Sequence, residues 1–141
     1  MSPVRLHHVP IELVLHEFAF LLIKTSAGFP SPAQDDLEEP IDLSARLVQH
    51  PAASYIMRVD GNSITGAGIF HDNFSVVNRA KEPRAGAIVV ALVHGDRTLK
   101  RLARIEGRFW LIPEADGYPR IIVDENVKIW GVPDGVARRL P

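Results

Sequence analysis

Residues 87–105 read AIVVALVHGDRTLKRLARI, and this stretch has the pattern of a β-hairpin. Ala87–Val93 and Thr98–Ile105 are both rich in apolar and β-branched residues, which favour strands. Between them lies His94-Gly95-Asp96-Arg97, where glycine permits the tight turn that joins two antiparallel strands. The stretch therefore predicts two paired strands.

Short strand-like segments also occur on both sides of this hairpin, separated by Gly, Pro, Asp or Asn. They are Ala53–Val59, Phe74–Val77, Phe109–Ile112, Arg120–Val123 and Val127–Val132. One helix is predicted at Ile41–His50, with Asp42 as its cap and Pro51 as its stop. The fold class is therefore mainly β, a small domain of about seven strands.

Length and composition limit the classes of function. The chain has 141 residues, a net charge of −1 and no cysteine. This size suits one domain, and the charge argues against a generally basic nucleic-acid binder. Without cysteine there are no disulfides, cysteine-ligated metals or cysteine nucleophiles. His7-His8 fits a solvated terminus better than a metal pair, so we expect neither a metal nor another cofactor.

The first forty residues differ in charge from the remainder. Residues 1–40 contain 2 basic and 6 acidic side chains, whereas residues 41–141 contain 14 basic and 11 acidic ones. A segment rich in proline and small residues follows residue 25, which is typical of an exposed linker. We therefore predict an N-terminal arm and linker over residues 1–40 and a folded domain over residues 41–141.

The apolar part of the arm must pack on something. His16–Ile23 is dense in Phe and Leu, and either the protein's own domain or a dimer partner could cover it. The longer run Ile11–Ile23 is too short and too charged to cross a bilayer. We expect a cytoplasmic protein that is not bound to a membrane.

Two residues are candidates for chemistry. Ser63 lies in Gly61-Asn62-Ser63-Ile64, where a sharp turn can place a hydroxyl beside free main-chain amides. Strand alternation requires that either Lys100 or Arg101 faces inward. None of the six histidines pairs with an aspartate as a triad would require. Taken by themselves, these residues are better explained as an ordinary turn serine and a lysine on a half-exposed sheet face.

Together with the arm, these residues resemble the LexA-like self-cleaving serine peptidases, and in particular their UmuD-like members. Ser63 and Lys100 match the catalytic serine and lysine of that family, and Ala27-Gly28 matches the cleavage site. Further similar blocks are Ile41-Asp42-Leu43, Gln49-His50-Pro51, residues 86–91, Leu111-Ile112-Pro113 and Trp130-Gly131-Val132. Only 26 residues precede Ala27, so we expect no helix-turn-helix domain and no sequence-specific DNA binding.

The resemblance implies a mechanism and partners. Ser63 would attack the carbonyl of Ala27, neutral Lys100 would accept the hydroxyl proton, and the amides of Asn62 and Ser63 would stabilise the oxyanion. Desolvation would lower the lysine pKa from about 10.4 toward about 7. A RecA–single-stranded DNA filament would stimulate cleavage, and the trimmed homodimer would assist a UmuC-like error-prone translesion polymerase in the SOS response.

The sequence departs from the family at four places. Asn62 replaces a frequent Asp, Ile64 replaces the usual Met, an Asp-Gly-Asp loop reads His71-Asp72-Asn73, and Asn78 replaces a following Asp. These departures leave a non-enzyme alternative, a dimeric polymerase-binding module with a silent dyad. A second alternative is a signal-peptidase-like Ser/Lys enzyme that acts on other proteins, against which the missing membrane anchor argues.

Overall fold

The structure is a computed structural model that describes the backbone of residues 4–10, 17–22 and 36–141, with side chains from residue 40 onward. These residues form ten strands and one short α-helix. The elements are β1 (Val4–Pro10), β2 (Glu17–Leu22), β3 (Asp36–Asp42), α1 (Leu43–Leu47), β4 (Ser54–Val59), β5 (Phe74–Asn78), β6 (Ile88–Val93), β7 (Asp96–Ile105), β8 (Arg108–Ile112), β9 (Ile121–Ile122) and β10 (Val127–Ala137).

The chain divides into two compact units. Leu13–Leu47 forms the smaller unit, and Met1–Glu12 together with Val48–Pro141 forms the larger one. The division that the sequence predicts after residue 40 stays a prediction. Ala27, Gly28 and the linker around them lie outside the described residues, as do the side chains of His16–Ile23.

The smaller unit contains an antiparallel pair of strands followed by the helix. β2 pairs with β3, and Asp42 at the end of β3 caps α1 by accepting bonds from the amides of Ser44 and Ala45 at 2.9 and 3.3 Å. The predicted cap is confirmed. The predicted extent of the helix, Ile41–His50, is wrong because α1 spans only Leu43–Leu47. Pro51 disfavours helical backbone at the residue before it, so the helix does not continue to His50.

The larger unit contains an eight-stranded antiparallel sheet with the order β1-β4-β5-β10-β6-β7-β8-β9. The predicted hairpin is confirmed, since β6 and β7 pair along their length. His94 and Gly95 have φ values of 50° and 85°, which is the geometry of a two-residue turn with both central residues left-handed. The mainly β fold class is therefore confirmed.

Strand β10 extends further than the sequence pattern predicts. Its first part, up to Gly131, pairs with β6, and its second part, from Val132 to Ala137, pairs with β5. Register shifts at Ile129/Gly131 and at Pro133/Gly135 allow the strand to continue through a proline and a glycine. β10 thus joins the two halves of the sheet.

Two clusters of buried side chains form the core of this unit. The first contains Met57, Val59, Ile64, Ile69, Val77, Val90 and Leu99. The second contains Val89, Ala91, Val93, Leu102, Leu111, Val127 and Val132. Because Ile64 and Leu99 belong to one cluster, the core fixes the neighbours of both Ser63 and Lys100.

Candidate active site

Ser63 lies in the turn that follows β4. Gly61 has a φ of 103°, a left-handed conformation that glycine adopts without the strain a side chain would cause. Ile64, which follows Ser63, is 1% exposed and packs in the hydrophobic core, so it holds the end of the turn in place. Ser63 itself is also 1% exposed, so its hydroxyl points into the protein rather than into bulk water.

Lys100 lies in the middle of β7 and is 1% exposed, so the prediction that one of the adjacent residues faces inward is confirmed, with Lys100 as that residue. Its Nζ donates to Ser63 Oγ at 2.8 Å and to Thr98 Oγ1 at 2.7 Å. A third bond goes to the carbonyl oxygen of Leu99 at 3.0 Å. The structure therefore brings together the two candidate residues that the sequence singled out.

The electrostatics of Lys100 follow from its burial. Among the described residues, none of the ion pairs involves Lys100. Desolvation without a counter-charge lowers the pKa of Lys100 from 10.5 to about 8. The pKa of Lys100 therefore falls less far than the value of about 7 that the sequence predicts. The fall still corresponds to roughly 3 kcal/mol in favour of the neutral amine, so a useful fraction of the amine is neutral near pH 8.

Glu114 connects the serine turn to the strand of the lysine. Its amide donates to the carbonyl of Ser63 at 2.8 Å, and its carbonyl accepts from the amide of Gly66 at 2.7 Å. Its carboxylate pairs with Arg101, which also donates to the carbonyl of Gly86 at 2.6 Å. This connection had no signal in the sequence, because the contacts are mainly between backbone atoms of distant residues.

The main-chain amides of Asn62 and Ser63 are the oxyanion donors that the sequence analysis predicts. The amides of Asn62 and Ser63 donate no hydrogen bond to any residue in the part of the chain described here. Asn62 is exposed and Ile64 is buried, so the two departures beside Ser63 have different surroundings. Thr98 was missed, although a polar residue two positions from Lys100 on one strand shares its face.

No group of three or more His, Cys, Asp or Glu side chains within the described ranges is arranged to hold a metal ion. In the same ranges, none of the helices is long and apolar enough to cross a bilayer.

Comparison with known proteins places the chain in a family. Residues 20–133 match the model of the Peptidase S24-like family, which is most of the chain. The chain belongs to the Peptidase S24-like family. The S24-like match includes both Ser63 and Lys100, and it supports peptidase chemistry for the protein. The predicted membership among LexA-like self-cleaving peptidases is confirmed at the level of the family.

Individual S24-like relatives cover most of the chain. Protein MucA of Salmonella typhimurium is 39% identical over 121 residues, which are 84% of this chain and 82% of MucA. Protein SamA of Salmonella typhimurium strain LT2 is 40% identical over 106 residues, or 75% and 74% of the two chains. The LexA repressor of Aeromonas salmonicida is 36% identical over 131 residues, covering 90% of this chain and 63% of the repressor.

Proposed function

We propose that this S24-like protein is a self-cleaving serine peptidase that cuts its own chain between Ala27 and Gly28. Ser63 is the nucleophile and Lys100 is the general base. The observation that carries the proposal is the 2.8 Å contact between Lys100 Nζ and Ser63 Oγ in a site where both residues are buried. A base within hydrogen-bond reach of the nucleophile is the first requirement of this chemistry.

The three bonds of Lys100 support the direction of proton transfer. A neutral amine has two N–H groups and one lone pair. The carbonyl of Leu99 can accept one N–H and the oxygen of Thr98 the other, which leaves the lone pair for the hydroxyl proton of Ser63. Loss of the charge thus converts Lys100 from a donor to Ser63 into an acceptor from it.

The reaction then proceeds in two steps. Ser63 Oγ bonds to the carbonyl carbon of Ala27 while its proton moves to Lys100 Nζ, and the oxyanion is stabilised by the amides of Asn62 and Ser63. The C–N bond to Gly28 breaks as the Lys100 ammonium returns the proton to the leaving amine. Water, deprotonated by neutral Lys100, hydrolyses the Ser63 ester and restores the hydroxyl.

The biological setting belongs to the same proposal. A RecA–single-stranded DNA filament stimulates the cut by favouring the position of the arm in which the bond meets Ser63. The trimmed form is a cytoplasmic homodimer and an accessory subunit of a UmuC-like error-prone translesion polymerase in the SOS response. Similarity to LexA and to the UmuD-like relatives MucA and SamA supports this setting.

A dimeric polymerase-binding module with a silent dyad is the alternative. Such a module has no need for a lysine that is 1% exposed and pays the desolvation penalty shown by its lowered pKa. An apolar side chain at residue 100 would serve a purely structural role without that penalty. The burial of Lys100 therefore favours the peptidase over the silent module.

The deciding experiment follows self-cleavage of the full chain by intact mass from about pH 6 to about pH 10. Below about pH 8 the wild-type rate should rise about tenfold per pH unit and then level off, as neutral Lys100 accumulates. Lys100→Arg should not cleave at any pH because guanidinium stays charged. Ser63→Ala should also be inactive, and Lys128→Arg, at an exposed lysine on β10, should cleave like wild type.

A cleaving Lys100→Arg variant would refute the mechanism and leave the silent module as the better interpretation. The role of the activator is tested separately, by adding RecA, single-stranded DNA and a nucleotide at neutral pH. An unchanged rate of cleavage would refute that part of the proposal alone.

A further inference from the structure

The ring of His71 lies against the turn that carries Ser63. Its Nδ1 accepts a hydrogen bond from the amide of Gly61 at 2.8 Å. Gly61 is the left-handed residue that starts this turn, and it precedes Ser63 by two positions. The orientation of the following peptide group, which carries the Asn62 amide, depends on this residue.

The loop that contains His71 is itself fixed to the end of β4. The amide of Asp72 donates to the carbonyl of Val59 at 2.7 Å, and the amide of Val59 donates to the carbonyl of Asn73 at 2.9 Å. Asn73 Oδ1 also accepts from the amide of Phe70 at 2.9 Å. These hydrogen bonds restrict the position of the loop, so the imidazole of His71 can support the serine turn through its bond with Gly61.

Charged groups surround the ring. Asp60 Oδ1 lies 3.6 Å from Nδ1, and Asp72 Oδ1 lies 3.5 Å from Nε2. Arg58 is paired with Asp72 at 3.7 Å, and the neighbouring groove is also lined by Arg138 and Arg139.

The contact with Gly61 requires a free lone pair on Nδ1. When the ring gains a proton, both of its nitrogens are donors, and the Gly61 amide then faces an N–H group. The carboxylates of Asp60 and Asp72 are close enough to take the ring as a new partner. The amide of Gly61 would then lose its acceptor, and the serine turn would lose the contact that supports it.

We propose that His71 is a positioning residue that holds the serine turn in its reactive geometry through the Gly61 amide, and that it does so only while its ring is neutral. The part of this inference that concerns cleavage rests on the proposed function. Self-cleavage then depends on two neutral groups, Lys100 as the base and His71 as the brace. The loop that contains His71 lies where this chain departs from the Asp-Gly-Asp pattern of the family.

Three full-length variants test the role in cleavage. His71→Ala removes the acceptor and should slow the reaction about tenfold to a hundredfold at about pH 9, where wild type has the contact. His71→Asn offers a side-chain oxygen near the position of Nδ1 and cannot gain a proton. It should cleave within about threefold of wild type above pH 8. His94→Asn, at an exposed histidine in the β6–β7 turn, is the control and should match wild type.

The pH profile separates positioning from a purely structural role. As the pH is lowered, wild type should lose up to about tenfold to a hundredfold more rate than His71→Asn, because wild type loses both the neutral base and the neutral ring, whereas the variant loses only the base. A His71→Ala variant that cleaves like wild type would overturn the proposal. Identical profiles for wild type and His71→Asn would overturn its dependence on the neutral ring.

A spectroscopic test does not depend on cleavage. In the uncut Ser63→Ala chain, the ¹⁵N–¹H resonance of the Gly61 amide should move as the pH is lowered from about 8 to about 5. The same resonance should stay nearly constant when His71→Asn is added. A Gly61 resonance that ignores both pH and His71→Ala would refute the contact. If wild type never cleaves, the proposed function fails while this titration still decides whether His71 braces the turn.

Discussion

Thr98 Oγ1 lies 2.7 Å from Lys100 Nζ, closer than the hydroxyl of Ser63, and both Thr98 and Lys100 project from the same face of β7. Thr98 is fully buried. Because the bond ties the lysine head group to its own strand, it restricts the directions in which Nζ can point. We infer that Thr98 orients the amine toward Ser63.

Replacing Thr98 tests this orientation. Thr98→Val keeps the shape but removes the oxygen, so neutral Lys100 should spend less time aimed at Ser63. Self-cleavage at about pH 9 should slow about tenfold to a hundredfold. Thr98→Ser retains the hydroxyl and should recover most of the rate. Equal rates for Thr98→Val and wild type would show that the threonine has no part in the reaction.

The lowered pKa of Lys100 also predicts how stability depends on pH. The pKa is about 8 in the folded chain and 10.5 without burial, so the unfolded chain holds more protons between these values. The free energy of unfolding should therefore rise with pH through this window. The destabilising contribution, roughly 3 kcal/mol, is complete below about pH 8 and is lost as the pH approaches 10.5.

Urea unfolding of the uncut Ser63→Ala chain at pH 7 to pH 10 measures this contribution. The reference is the double variant Ser63→Ala/Lys100→Met, because other titrating groups cancel in the difference between the two chains. The methionine chain should be the more stable one at pH 7, and its advantage should shrink as the pH rises. A difference that does not change with pH would contradict the lowered pKa.

Two nearby glycines give a matched pair of substitutions. A Cβ on Gly66 would lie 2.5 Å from the carbonyl oxygen of Glu114, so the backbone must move and break a 2.7 Å bond. Gly66→Ala should cost about 1–3 kcal/mol and slow cleavage, since Glu114 also binds Ser63. Gly68 has a φ of 82° and open space around it, so Gly68→Ala should cost only about 1–2 kcal/mol of backbone strain and leave the rate nearly unchanged.

Thermal unfolding of the Ser63→Ala forms and cleavage rates of the active forms measure both effects. For each glycine variant, the loss of cleavage rate is compared with the loss of thermal stability. If Gly68→Ala slowed cleavage as much as Gly66→Ala, the connection through Glu114 would have no special importance for the serine turn.

The proposed bond gives a further test. Ala27→Asp places a charge where the site requires a small neutral side chain, so intact mass should show no product that ends at residue 27. The free energy of unfolding should not change, because the substitution lies in the predicted linker. Ala33→Asp adds the same charge further along that segment and should still be cleaved. A fragment of the Ala27→Asp chain that ends at the substituted residue would show that the bond has been assigned wrongly.

Local rules predicted much of the larger unit. Glycine in the turn at Gly95 and the alternation along β7 correctly gave the β6–β7 hairpin and an inward residue at position 100. In the smaller unit, Asp42 was correctly expected to cap the helix. These features depend on a few neighbouring residues, whose backbone preferences are visible in the sequence.

Features that depend on distant contacts could not be predicted. Pro133 and Gly135 are expected to end a strand, yet β10 continues to Ala137 because register shifts accommodate them beside β5. The connection of Glu114 to the serine turn uses backbone atoms, which any residue type could supply. His71 was considered as a candidate base and as part of a loop that departs from the family pattern, and its hydrogen bond with the Gly61 amide has no sequence signal.

The course of β10 bears on when the proposed self-cleavage could begin during synthesis. In the sheet, β4, which leads to Ser63, is separated from β7, which carries Lys100, by β5, β10 and β6. During synthesis the proposed scissile bond and the serine leave the ribosome first, and the lysine follows. The strand that joins their two halves of the sheet is made last. In the proposed reaction, a nascent chain would therefore carry Ser63 and Lys100 before the sheet that brings them together is complete, and the order of translation would prevent premature cutting.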